Sequence, residues 1–120
     1  MFGQVKFVEK DWGWEKIIEN NNLYCGKILF IKKDNCISLQ YHKLKDETFY
    51  VLSGSLLAKF SREGEFRILE DIAVVKMSEG DVHRVSPGDI HQLFALEDST
   101  IIEISTTHFD EDTYRLSKTF

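Results

Sequence analysis

The feature that most constrains this chain is a rhythm of short apolar runs, rich in β-branched and aromatic residues, each broken by a cluster of turn formers. The runs are LYCGKILFI, CISLQYH, TFYVLSG, SLLAKFS, FRILEDIAVVKM, DVHRV, HQLFAL and TIIEIST. Turn clusters fall at Glu19–Asn22, Lys33–Asn35, Ser53–Ser55, Arg62–Gly64, Ser78–Asp81, Ser86–Asp89 and Glu97–Thr100. Segments of this length and interval build a β-sandwich or barrel rather than alternating β and α units. FYVLSG and SLLAKF are joined through Ser53-Gly54, and SREGEF carries Glu63-Gly64. Both predict hairpins, because glycine supplies the positive φ that short loops demand. Helix is supported only around Asp110–Leu116, where three acids precede Arg115 in the sense the helix dipole favours. The expected class is all-β, with the sheet curled or doubled to hide its edges.

The 120 residues, 42 % of them hydrophobic, suffice for one core. With no linker or repeat, residues 1–120 are expected to form a single domain. A charged fraction of 29 % and a net charge of −5 predict a soluble protein. They exclude a nucleic-acid partner, since phosphate backbones need a basic face. One or two well-placed cations can still hold a phosphorylated small molecule. No stretch approaches the roughly 20 apolar residues of a membrane span, and MFGQVKFVEKDWGWEK lacks the pattern of a signal peptide. The expectation is a cytoplasmic protein in which Cys25 and Cys36, without CxxC spacing, stay reduced and buried.

Two segments carry chemistry. In SLQYHKLKDETFYVLSG, residues two apart on a strand point the same way, so Gln40 and His42 share a face. Glu47 opens the next strand after a short basic loop and can return its carboxylate to that face. In GDVHRVSPGDIHQL a strand ends in the Pro87-Gly88 turn and His91 begins the returning strand. A lone histidine on an apolar strand is more often structural, and a glutamate at a strand start is usually just solvated. Together, two imidazoles, a carboxylate and an amide oxygen suit a divalent ion: Mn, Fe, Co, Ni or Zn.

These segments resemble the paired motifs of the cupins, a glycine, a histidine pair, a downstream Glu and a Gly, then G(X)5PXG(X)2H. Gly80 begins the second motif, Gly88 is its inner glycine and His91 its last residue, while Ser86 stands where proline is usual. In the first motif Leu44 fills the slot often held by a second histidine. What remains, Gln40-x-His42, is similar to the ligation of phosphomannose isomerases and implies two His, one Glu and one Gln as ligands. VEKDWGWEKIIEN and IIEISTTHFDEDTYRL resemble the opening and closing segments of type II mannose-6-phosphate isomerase domains, apart from Asp11, where proline is usual. Those cupin domains are often fused behind a mannose-1-phosphate guanylyltransferase, whose glycine-rich part this sequence lacks.

The resemblance implies a cupin jelly-roll barrel and a metal-dependent isomerase interconverting mannose 6-phosphate and fructose 6-phosphate. Such a reaction needs a Lewis acid, a base near neutral pKa and cations for the phosphate. The candidate bases are His83, on the strand leading to His91, and Glu103, a charge inside the apolar run IIEIS. Each is set against a structural role. Arg115 is the first candidate for phosphate, followed by Arg84 and Lys27, although a lysine on an edge strand commonly faces solvent. Trp12, Trp14, Tyr24, Tyr41 and Phe49 could stack on a sugar or simply fill the core. His108 reads as a surface residue and Asp110–Asp112 as a solvated charge run. The alternatives are a sugar or sugar-nucleotide binding cupin without turnover, and an oxygenase if the metal is held by His42, Glu47 and His91 alone. By analogy with cupins a homodimer is expected, with Phe2–Glu9 crossing to a partner.

Overall fold

The computed structural model describes residues 2–61 and 72–120. The sequence rhythm becomes eleven strands among these residues: β1 Lys6–Lys10, β2 Gly13–Asn20, β3 Cys25–Ile31, β4 Leu39–Tyr41, β5 Glu47–Ser53, β6 Ser55–Phe60, β7 Ala73–Ser78, β8 Val82–Val85, β9 His91–Ala95, β10 Ser99–Ser105 and β11 Tyr114–Ser117. The eight predicted runs supply β3 to β10. The Glu63-Gly64 hairpin and the start of FRILEDIAVVKM lie outside the described residues.

The strands form two antiparallel sheets, one ordered β1-β2-β3-β10-β5-β8 and the other β11-β4-β9-β6-β7. Burial alternates as a pleat requires along β3, β5 and β10: in β3, Cys25, Lys27, Leu29 and Ile31 are buried, and the residues between them only half so. The inward side chains of both sheets meet in one core of Leu29, Ile31, Phe49, Val51, Leu56, Met77, Val85, Leu93 and Ile101. Each such fully buried side chain contributes roughly 1.5–3 kcal/mol. No helix among the described residues is long and apolar enough to cross a membrane.

Two expectations are corrected. Ser53-Gly54 is not a hairpin turn, because β5 belongs to one sheet and β6 to the other. Gly54 does have a positive φ, 95°, and a Cβ there would come within 2.6 Å of the Asp98 carbonyl oxygen. A sheet-to-sheet corner and a hairpin make the same demand on φ, so the residue type could not separate them. The Pro87-Gly88 turn likewise carries the chain from β8 across to β9 in the other sheet. The helix expected at 110–116 is a single 3-10 turn, Asp110–Asp112, followed by β11. Pairing of Tyr114 with Tyr41 and of Arg115 with Gln40 captures that backbone for the sheet. Lys6–Lys10, the edge strand of its sheet, pairs with β2 of the same chain.

Candidate metal centre

β4 ends one residue before His42, β5 begins at Glu47, and the loop 43–46 between them passes from one sheet to the other. β9 brings His91 against them, so the three side chains lie at most 2 % exposed at the junction of the sheets. Nε2 of His91 is 2.9 Å from Glu47 Oε1, and Nε2 of His42 is 3.6 Å from the same oxygen. The ligand atoms of all three lie within 4.8 Å of one another. His42 Nδ1 is 3.1 Å from the Asp112 carbonyl oxygen and His91 Nδ1 is 3.1 Å from that of Asp89. A carbonyl only accepts, so each Nδ1 carries the proton and each Nε2 lone pair faces the other ligands.

Both Nε2 atoms and both Glu47 oxygens are buried without a well-formed hydrogen bond, Oε2 having the Lys45 ammonium at 2.9 Å as an ion pair only. Buried polar atoms left this way are costly, and a divalent cation would satisfy them at once. The residues therefore fit a metal ion. Burial pushes the Glu47 carboxyl upward, but the two imidazoles and Lys45 outweigh it and hold the group well below the usual range.

Lys45 is the residue the sequence did not single out. Its ammonium, 3 % exposed, lies 2.9 Å from Glu47, 3.3 Å from Glu103 Oε2 and 3.1 Å from His108 Nδ1. Burial disfavours its charge, yet Glu103 and Glu47 more than compensate and raise its pKa. Burial pushes Glu103 up and the Glu47 charge adds to this, while Lys45 and Lys27 pull the other way. His108 is held below the ordinary histidine range by burial and by Lys27 and Lys45.

A cavity of about 590 Å³ opens beside this cluster. Gln40, His42, Lys45, Phe49 and Glu103 line it, together with Trp12, Glu15, Lys27 and His108, and Lys10, Arg115 and Lys118 bring basic groups to it. Register places Arg115, Gln40 and His91 side by side across β11, β4 and β9. The Gln40 side-chain oxygen accepts a hydrogen bond from Ser38 Oγ at 2.8 Å. Lys27, far from facing solvent, is 4 % exposed in the interior of its sheet, with Glu15 at 3.9 Å.

Other candidates are elsewhere. The His83 ring packs tilted against Phe60 at 4.7 Å and lines a separate cavity of about 190 Å³. Arg84 is exposed and holds Asp46 through Nη2 at 2.6 Å. Trp14 stacks on Phe30, Tyr41 on Tyr114, and Tyr24 is exposed. His108 is no surface residue, since it lines the cavity. The charge run 110–112 is not wholly solvated either, because Asp112 is buried and its carboxylate takes the backbone N–H groups of residues 43–45. Nothing local marks these two acids apart: Asp110 is exposed and Asp112 buried because only the latter meets the loop before β5.

Residues 3–117 match the family described as Mannose-6-phosphate isomerase C-terminal. No curated protein matches the chain. Among solved structures, the capsular polysaccharide assembling protein CapF of Staphylococcus aureus aligns with a TM-score of 0.79 at 20 % identity, over 97 % of this chain and 32 % of that one. A Bacillus subtilis oxalate decarboxylase variant aligns with a TM-score of 0.78 at 16 % identity, over 93 % and 30 %. Another structure of that decarboxylase is described by its Mn(II) centres. The chain thus spans about a third of these relatives, and at such identities the likeness establishes the fold, two sheets closed as a cupin barrel. With the family matched from residue 3 to residue 117, this chain belongs to the mannose-6-phosphate isomerase C-terminal family of cupin domains.

Proposed function

We propose that this chain is a metal-dependent aldose–ketose isomerase that interconverts mannose 6-phosphate and fructose 6-phosphate. The observation that supports it is a His–Glu–His group with inward lone pairs that reaches one cavity through His42, where a carboxyl held above its usual range and basic groups also line the wall. His42, Glu47 and His91 hold the ion, with Gln40 beside His91 as the fourth ligand once its amide turns from Ser38. A bound Mn, Fe, Co, Ni or Zn ion supplies Lewis acidity toward the sugar carbonyl.

The protein's own residues do the rest. Glu103, buried yet lining the cavity, carries a proton between C1 and C2 on its carboxylate, and the burial that raises its pKa makes it the stronger base. Lys45, 3.3 Å from Glu103 Oε2, fixes the carboxylate's direction. Arg115 binds the phosphate, and Lys27 with Glu15 meets the sugar hydroxyls. His83 and Arg84 take no part in this scheme, since neither lines the cavity. We place the activity in the cytoplasm, where the free thiols Cys25 and Cys36 stay reduced.

We also infer a homodimer through the outer face of the six-stranded sheet. Phe7, Trp14 and Phe30 form a run of rings across β1, β2 and β3, and Ile104 and Val82 are 61 % and 63 % exposed beyond them. Contiguous apolar faces of this kind mark interfaces. Light scattering giving twice the 14.0 kDa chain mass is the expected result.

The competing reading is a sugar or sugar-nucleotide binding domain without turnover, favoured by one observation, the Ser38 hydroxyl already occupying Gln40. A coupled assay on mannose 6-phosphate with metal-loaded protein separates the two. Turnover abolished by EDTA and strongly reduced in Gln40→Ala supports the isomerase. Absence of turnover in protein that holds metal leaves the binding domain.

A further inference from the structure

The buried acid Asp112 has no part in the scheme above, yet more backbone groups converge on it than on any residue lining the cavity. It sits at the end of the 3-10 turn Asp110–Asp112 and is 4 % exposed. Its carboxylate accepts from three successive amides: Lys43 N to Oδ1 at 2.9 Å, Leu44 N to Oδ1 and Oδ2 at 3.1 and 3.2 Å, and Lys45 N to Oδ2 at 3.1 Å. Its own carbonyl oxygen, 3.1 Å away, accepts from His42 Nδ1. One residue thus grips both the histidine that follows β4 and the loop that leads to Glu47. It does so from 67 to 70 residues further along the chain.

We propose that Asp112 is the positioning residue of the metal centre, an inference that rests on the metal reading above. Its carbonyl selects the His42 tautomer whose Nε2 lone pair points at Glu47 and His91. Its carboxylate sets the course of residues 43–45, which fixes the spacing between His42 and Glu47 and directs the Lys45 side chain to Glu47 Oε2 at 2.9 Å. A carboxylate is needed because amides donate to both oxygens. An asparagine would turn an NH2 group toward one of those donors, leaving a buried N–H opposed to another donor. Loops that carry metal ligands are only as well placed as the groups that hold them, and such supporting groups typically govern roughly 10–100-fold in metal affinity.

The test is a titration of metal-free protein with Co²⁺, reading its visible ligand-field spectrum and its affinity in competition with a chelator. Asp112→Asn is expected to bind Co²⁺ roughly 10–100-fold more weakly and with an altered spectrum, whereas the exposed neighbour variant Glu111→Gln binds as the parent does. A folded Asp112→Asn protein with the parent's affinity and spectrum would overturn the proposal, even if its thermal stability is lower. If Asp112→Asn does not fold, the parent decides: long-range ¹⁵N–¹H correlation on the metal-free protein, at a pH where imidazoles are neutral, should show His42 protonated at Nδ1. The Nε2–H tautomer would refute the role of the carbonyl. Failure of the parent itself to bind Co²⁺ would count against the metal reading, a result distinct from equal binding by parent and variant.

Discussion

The two ends of the barrel interior are built from the same strands and do opposite things. Along the inward face of β3 the residues pass from Lys27 to Leu29 and Ile31. Along β5 they pass from Glu47 to Phe49 and Val51, along β9 from His91 to Leu93 and Ala95, and along β10, read backward, from Glu103 to Ile101. Cross-strand register aligns these changes, with Glu103 beside Lys27 and Ile101 beside Leu29 and Val51. One end is therefore an apolar core. The other holds at least two buried carboxylates, a buried ammonium and two imidazoles within a few ångströms. A pleated strand sets which side chains face inward, but sequence alone decides where along the strand burial must be matched by charge pairing. The apolar end is stable by itself, whereas the polar end is stable only while its charges are complete.

The largest effect that sharpens this contrast is expected from Lys45→Met. Removing the ammonium leaves Glu47 without its ion-pair partner and Glu103 with Lys27 as its remaining neighbouring cation, and breaking such buried pairs costs about 3–5 kcal/mol. In denaturant titrations of the metal-free protein the loss should be full, and added divalent metal should restore part of it. Leu93→Ala, at the apolar end, should cost about 2–5 kcal/mol by leaving a cavity. That cost should be the same with and without metal. Equal metal dependence in the two variants would dissolve the distinction between the ends.

A smaller effect is expected from Glu103→Gln. The folded pKa of Glu103 lies above its unfolded value, so the folded state binds the extra proton and stability falls as pH rises between the two. Unfolding measured across that window should slope downward with pH in the parent and less so in the variant, while turnover drops by roughly 10²–10⁴. A parent whose stability is flat there would show that Lys45 and Lys27 fully offset the burial of Glu103.

The smallest is expected at His108. Its folded pKa is depressed, so the unfolded chain takes up the proton first and stability falls as pH drops from about 6.5 toward the folded value. His108→Gln should flatten that acid limb. No change would place His108 electrostatically outside the polar end.

Much of this arrangement was legible in the sequence. Eight strands followed from apolar runs and turn formers, and His42, Glu47 and His91 from their places at strand ends and turns together with the resemblance to the cupin motifs. β1 and β2 were missed because VEKDWGWEKIIEN mixes charge on both faces: β2 is half-buried through most of its length and exposed at 18–20, and β1 lies at the sheet edge. Lys45, His108 and Asp112 were missed for a different reason. Their burial is decided by partners far along the chain, 58 residues for Lys45 and Glu103 and 69 for Lys43 and Asp112. A basic loop and an acidic run each look solvated until the fold sets one against the other. Arg84, on β8, pairs instead with Asp46 at the surface, a pairing that neither residue's local sequence announces.

The place of β10 between β3 and β5 has a consequence for how the protein comes to exist. During synthesis β3 and β5 are made early, yet neither can pair with the other, and the strand that joins them, Ser99–Ser105, emerges more than forty residues after β5 ends. Until then the nascent chain carries two open strand edges with apolar faces, the condition that invites association between chains. Sheets closed by such distant partners fold on the millisecond-to-second scale and not faster. Folding should therefore be gated by the arrival of one seven-residue strand, and a ribosome stalled before it would display a sheet in two unmatched halves.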